Sequence, residues 1–200
     1  MTTIHRYTSD YNRIIKMVSD GGDYVWIAYE RNSDGNFHIQ KVSANALDQV
    51  YFDLEVEANS IVDMEANSSQ LYVLFANSTY LATYYSSNDP LSDTLNFERP
   101  ASMREEPVAF IPDYGNDILN ILTPGASSAT NALVYRFNTN SGFLLETVAI
   151  RVNNIRIVEA RDISLDANSN LWIVTYTNPT KLVRMWFASG GWKFAFTDIT

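Results

Sequence analysis

An all-β chain, built as a four-bladed β-propeller or propeller-like disc of four-stranded antiparallel blades, is predicted by three observations. First, a polar turn followed by an apolar–aromatic–apolar triplet recurs along the sequence. Ser19-Asp20-Gly21-Gly22-Asp23 precedes Val25-Trp26-Ile27, and Asn67-Ser68-Ser69-Gln70 precedes Leu71-Tyr72-Val73. Asp166-Ala167-Asn168-Ser169-Asn170 precedes Leu171-Trp172-Ile173, with a degraded copy at Asp113-Tyr114-Gly115-Asn116-Asp117 before Ile118-Leu119. Second, Trp26, Tyr72, Leu119 and Trp172 follow one another at intervals of 46, 47 and 53 positions, close to the roughly 40–50 residues of a four-stranded blade. Third, no segment of useful length carries helical periodicity. Units of this kind stack because none can bury its apolar face alone. Asn, Asp, Ser and Gly punctuate every antiparallel sheet, so a β-sandwich or barrel is the alternative.

The strands are read in order within one domain, 1–200, divided into blades at 10–58, 59–103, 104–153 and 154–200. In the first unit, strands are expected at Arg13–Ser19, Asp23–Arg31, Phe37–Ser43 and Tyr51–Ala58. The second and third are joined by Asn32-Ser33-Asp34-Gly35-Asn36, where Asp-Gly supplies the positive φ of a hairpin. Phe52, Leu54, Val56 and Ala58 alternate with Tyr51, Asp53, Glu55 and Glu57, which predicts one buried and one wet face. The second unit offers Ile61–Ala66, Gln70–Ala76, Thr79–Ser86 and Thr94–Arg99. The third offers Pro107–Pro112, Asp117–Thr123, Asn131–Asn138 and Phe143–Val152, and the fourth Asp162–Asp166, Leu171–Thr177, Thr180–Ala188 and Trp192–Ile199. Residues 1–9 hold a surplus strand, Ile4–Thr8, that could close the ring on the last blade and mask an edge; a loose tail is the alternative.

Asp166 through Ile173, with its acidic residue, polar turn and Leu-Trp-Ile, resembles the blade motif of NHL-type and sensor-regulator β-propellers. Asp20 through Ile27 is similar in looser form, Tyr72 replaces tryptophan in the second unit, and the third keeps only the apolar pattern. The resemblance implies a fold and no particular activity.

Composition narrows the function classes. The formal charge is −9, from 14 basic and 23 acidic residues. That sign repels nucleic-acid phosphates and anionic membranes, so neither is expected as a partner. With no cysteine, disulfides, thiol nucleophiles and cysteine-ligated metals are excluded. Met1 to Arg6 lacks the apolar core of a signal peptide, and no apolar run reaches the ~20 residues of a membrane helix. Synthesis in a cytoplasm is expected, with a virion as the destination.

No catalytic constellation, cofactor or metal site is read from the residues. His5 and His38 are the only histidines, no Gly-x-Ser-x-Gly elbow accompanies them, and both are expected at the surface. Asp166, Asn168 and Asn170 have the opening spacing of a calcium loop. Leu171 and Thr177 then stand where its glycine and bidentate glutamate belong, so an Asx turn is expected instead. The Asp53/Glu55/Glu57 row is read as a solvated face, and Asn67 and Asn77 as chance glycosylation patterns. Trp26, Tyr72, Trp172 and Trp186 are expected to pack between blades, with Tyr11 and Tyr114 in loops. The longer loops, Arg99–Glu106 and Thr123–Thr130, sit where recognition usually resides. Arg99, Arg104, Glu105, Glu106, Tyr114 and Trp192 are therefore the expected partner-binding residues. The reading favoured is a non-enzymatic structural module of a virion (a bacteriophage tail or capsid-attached component), with copies of itself and other assembly subunits as partners. A glycan-binding propeller for host attachment, with Trp192 against the sugar, and a cytoplasmic interaction scaffold are the alternatives.

Overall fold

The computed structural model describes residues 11–46, 49–56, 60–76, 78–90, 93–125, 131–152, 155–176 and 179–199. Among them there is no helix, hence none long and apolar enough to cross a membrane. Four four-stranded antiparallel sheets follow one another along the chain, as the four repeated segments predict. The first holds β1 (Tyr11–Ser19), β2 (Tyr24–Arg31), β3 (Phe37–Ser43) and β4 (Val50–Val56). The second holds β5 (Ser60–Ala66), β6 (Gln70–Ala76), β7 (Tyr80–Ser86) and β8 (Thr94–Glu98). The third holds β9 (Ala109–Asp113), β10 (Ile118–Thr123), β11 (Leu133–Asn138) and β12 (Leu144–Ala149). After a two-stranded ribbon, β13 (Arg151–Val152) and β14 (Ile155–Arg156), the fourth holds β15 (Ala160–Leu165), β16 (Leu171–Thr175), β17 (Thr180–Ala188) and β18 (Gly191–Ile199). In every sheet the strands lie side by side in chain order, and no sheet closes on itself. The surplus strand expected within 1–9 lies outside the described residues.

The single strand expected over Phe143–Val152 is broken. Ile150 leaves the ladder to donate its N–H to the Ala132 carbonyl (3.0 Å), and Arg151–Val152 pairs with Ile155–Arg156 instead. The break lets Ile150, Val152 and Ile157 sink into the core of the second half.

The chain divides into two compact units, Met1–Asn96 and Phe97–Thr200. In the first, Trp26, Ala28, Ile39 and Val56 of the first sheet pack on Met64, Leu71, Val73 and Phe75 of the second. In the second, Leu122, Val134 and Val148 of the third sheet pack on Ile163, Leu171, Ile173 and Val183 of the fourth. Within each unit the leading strands adjoin, β1 beside β5 and β9 beside β15, with Lys16 paired to Asp63 across the former at 2.5 Å.

The recurrent polar turn is an Asx turn, as expected. Asp20 Oδ1 accepts the N–H groups of Gly22 (2.8 Å) and Tyr24 (3.2 Å). Asn67 Oδ1 accepts those of Ser69 and Gln70, both at 2.9 Å. Asp166 Oδ1 accepts those of Asn168 (2.8 Å) and Asn170 (3.0 Å), while its Oδ2 accepts the Trp172 indole N–H at 3.1 Å. The side-chain oxygen satisfies amides that the strand ladder leaves unpaired. The hydrogen bonds from Asn170 and Trp172 hold the Asp166 carboxyl well below the usual carboxylate range. A carboxyl depressed on folding adds stability above its unfolded pKa and loses it as pH falls through the folded one. Wild type is therefore expected to outlast Asp166→Asn in urea at pH 6, and to lose that advantage below about pH 4. An advantage constant down to pH 2 would contradict the charged turn.

The repeat is less exact in its aromatics. Trp26 and Tyr72 are fully buried, but Trp172 is half-exposed. Leu171 and Ile173 take the core face of β16, so Trp172 must point to the opposite face, where Arg184 lies 5.8 Å from its ring. Trp186, also half-exposed, shares that guanidinium at 5.0 Å. Trp172 and Trp186, expected to pack between sheets, are thus only partly covered.

Lys41 is the unusual core residue. It lies on the same face of β3 as Ile39 and is 5% exposed. Its ammonium donates to the carbonyl (2.8 Å) and hydroxyl (2.7 Å) of Ser87, the residue that follows β7, and lies 4.3 Å from the Tyr24 ring centroid. Burial pushes its pKa down, with the Asp20 charge opposing.

Candidate functional site

The densest polar constellation lies on the first sheet, and its origin is the β2–β3 hairpin. Gly35 at φ +73° permits the tight turn that an L side chain would strain. Asp34 Oδ1 accepts the Asn36 N–H at 2.8 Å. This turn sets Tyr29 opposite His38, and Ile27 opposite Gln40. The β3–β4 register then sets Glu55 opposite His38, and Asp53 opposite Gln40. Period-two alternation gathers Tyr29, His38, Gln40, Asp53 and Glu55 on one face.

Asp53 is the hub. Its carboxylate accepts from Arg31 Nη2 (2.6 Å), Gln40 Nε2 (3.2 Å), the Tyr29 hydroxyl (3.1 Å) and His38 Nδ1 (3.2 Å). Gln40 Nε2 also donates to the Tyr29 hydroxyl (3.1 Å), and its Oε1 accepts from Tyr11. Burial pushes the Tyr29 phenol up to about 12, the Arg31 hydrogen bond opposing and the Asp53 charge adding to the rise. Tyr29 therefore stays a neutral donor.

His38 is 2% exposed and its ring stacks on Tyr29 at 5.5 Å. Because an ionised carboxylate only accepts, Nδ1 carries the proton that faces Asp53, and in the neutral ring Nε2 carries a lone pair. Nε2 is buried with no hydrogen-bond partner among the described residues; Asp34 Oδ2 stands 3.7 Å away. Ligand atoms of Asp34, His38 and Glu55 all fall within 4.8 Å of one another. The backbone hydrogen bond from Asn36 holds the Asp34 carboxyl below its ordinary pKa, with His38 and Arg31 nearby adding to the effect.

Three readings from the sequence are corrected here. His38 is buried, because β2 and β4 flank it and Tyr29 covers its ring. The Asp53 and Glu55 part of the carboxylate row is engaged in a network rather than merely solvated; Glu57 and His5 lie outside the described residues. Tyr11, expected in a loop, opens β1 and lies 4.2 Å from the Tyr29 ring. The Asp34-Gly35 turn fixed the Tyr29–His38 pairing in advance, but bringing Asp53 to both required the β3–β4 register.

The six residues singled out in the sequence all lie in the second unit. Arg99 and Glu106 close the loop between them with an ion pair at 2.7 Å, and Arg99 Nη1 meets the Met103 sulfur at 3.7 Å. Arg104 is exposed and Glu105 half-buried beside them. Tyr114 is 42% exposed on the β9–β10 turn. Trp192 is drawn elsewhere: its indole N–H donates to Glu146 Oε2 (3.1 Å) and Arg136 stacks on its ring at 4.6 Å. Arg136 is itself held by Glu146 and by Asn120 Oδ1 at 3.1 Å, so Trp192 ties β18 to β11 and β12. A groove lined by Val56, Phe75, Thr83, Tyr85 and Asn96 opens in the first unit, where the Thr83 hydroxyl donates to Asn96 at 2.8 Å. Of the Thr123–Thr130 loop, residues 126–130 lie outside the described residues.

No protein-family model and no curated protein matches the sequence. Solved structures resemble the fold, among them the following two. One, a putative 6-phosphogluconolactonase from Bacteroides uniformis, aligns with TM-score 0.56 and 13% identity over 88% of this chain and 54% of its own. The other, a eukaryotic initiation factor, aligns with TM-score 0.53 and 10% identity over 86% of this chain and 40% of its own. The likeness is one of fold. The chain spans about half the length of these structures.

Proposed function

We propose that the chain is a non-enzymatic assembly module whose four sheets stand as blades of a propeller and whose outer strands bind further copies of itself. The blade reading is supported by the leading strands, which adjoin within each unit, and by the order of strands within each sheet. The observation that carries the functional reading is the outer strand β12 and the residue before it. Phe143, Leu144 and Leu145 are 75%, 39% and 54% exposed in succession, on an edge strand with one row of backbone groups unpaired by its sheet. Apolar side chains exposed along an unpaired strand edge mark a surface that another chain covers. A virion subunit, where closed symmetry multiplies such contacts, is the specific form of this reading. The phosphogluconolactonase likeness, at 13% identity, supports the fold and carries no activity to this chain.

The test is native mass measurement with light scattering. A discrete homo-oligomer is expected for the wild type, and Phe143→Asp/Leu145→Asp is expected to leave a folded monomer. A wild type that stays monomeric at high concentration, or an oligomer indifferent to both substitutions, overturns the proposal.

A further inference from the structure

We infer that the hairpin face of the first sheet is a divalent metal site, with His38 Nε2, Asp34 and Glu55 as ligands to a borderline first-row cation such as Zn2+. The carboxylates alone would not carry this. The independent observation is His38: it is 2% exposed, its Nε2 has no hydrogen-bond partner among the described residues, and that atom lies 3.7 Å from Asp34 Oδ2. That separation is too long for a hydrogen bond. It is close to the ~3.3 Å between two ligands on a tetrahedral zinc with bonds of about 2.0–2.1 Å.

The third ligand fits the same point. Atoms mutually within 4.8 Å share a position no more than about 2.8 Å from each, so the shift needed to reach the bond length is under about 1 Å. Asp34 and Glu55 are exposed; their side chains can supply that shift, and they leave an entry path. Three protein ligands also keep a coordination position for water or an incoming anion.

The surrounding groups are arranged as a metal's outer shell would be. Asp53 takes the His38 Nδ1 proton at 3.2 Å, the carboxylate–histidine pairing that fixes the tautomer and aims the other nitrogen. Asn36 does the same for the carboxylates: its N–H holds Asp34 Oδ1 and its Nδ2 holds Glu55 Oε1, both at 2.8 Å. Each acid is left with its second oxygen. Asp53, already accepting from four side chains, is not a ligand. Charge balances too, since three carboxylates against the Arg31 guanidinium, which lies 3.7 Å from Asp34, leave two negative charges for a divalent ion.

Calorimetric titration of the chelator-treated full chain with ZnCl2 tests the assignment, together with ring-nitrogen spectra of the two histidines. One saturable site is expected, with the signal of His38 Nε2 shifted and that of His5 unmoved. Glu55→Gln is expected to weaken Zn2+ about 10- to 100-fold, Asp53→Asn by a similar factor through misorientation of the ring, and His38→Gln to abolish binding. Glu105→Gln is expected to change nothing. No saturable uptake at millimolar Zn2+, a shift confined to His5, or an affinity unchanged in Glu55→Gln overturns the site. Should His38→Gln fail to fold, the exposed Glu55→Gln and the wild-type spectra still decide.

Discussion

Trp26→Ala is expected to destabilise the first unit by about 3–5 kcal/mol, the cost of emptying a fully buried tryptophan site. Trp172→Ala, at the matching position of the repeat, is expected to cost only about 1–2 kcal/mol. Trp26 is 0% exposed among Ala28, Ile39, Met64 and Leu71, and its ring also lies 5.4 Å from the Lys41 ammonium. Trp172 surrenders partial packing and the single hydrogen bond to Asp166. Urea unfolding followed by far-ultraviolet circular dichroism would measure both. Equal costs would mean that the repeat in sequence reports equivalent environments, contrary to the opposite faces described for the two side chains.

The second large effect is expected at Asp53. Asp53→Ala removes the acceptor shared by Arg31, Gln40, Tyr29 and His38, and a cost of about 1–3 kcal/mol is expected for leaving those donors unmatched. The figure stays below that of a deeply buried ion pair, since 31% of the Asp53 side chain is exposed. Glu55→Ala, two residues on along the same face, is expected to cost less than about 0.5 kcal/mol in metal-free buffer, because it is exposed and its hydrogen bond among the described residues comes from the exposed Asn36 amide. Trp26 is the one tryptophan of the first unit and its fluorescence follows the transition. If the two substitutions cost the same, the carboxylate row is a solvated face after all.

What the sequence made legible follows from how local each signal is. The Asx turns could be read because Asp20, Asn67 and Asp166 bond amides two to four residues on, and their strands followed from period-two alternation. Strands such as Phe37–Ser43, Gln70–Ala76 and Thr180–Ala188 end where turn residues stop the ladder. The face chosen by each aromatic was not legible. Trp26 and Trp172 sit in the same local pattern, and only the stacking of whole sheets decides which flank of a strand is covered. The site shows the same division. Asp34, Gly35 and the Tyr29–His38 pairing belong to one hairpin and were within reach, whereas Asp53 and Glu55 join them through a third strand whose alternation read equally well as plain solvation. Trp192 was singled out as an aromatic that could stack on a sugar or anchor an interface; its indole N–H bond to Glu146 and its contact with Arg136 depend on strands far apart in sequence.

Lys41 gives the first unit an internal chemical reporter. Its amine is walled in by two aromatic rings and gripped by Ser87, just past the end of β7 in the neighbouring sheet, so an acylating reagent can reach it only when those sheets part. The rate at which that one nitrogen is modified then clocks the breathing of the interior, separately from complete unfolding.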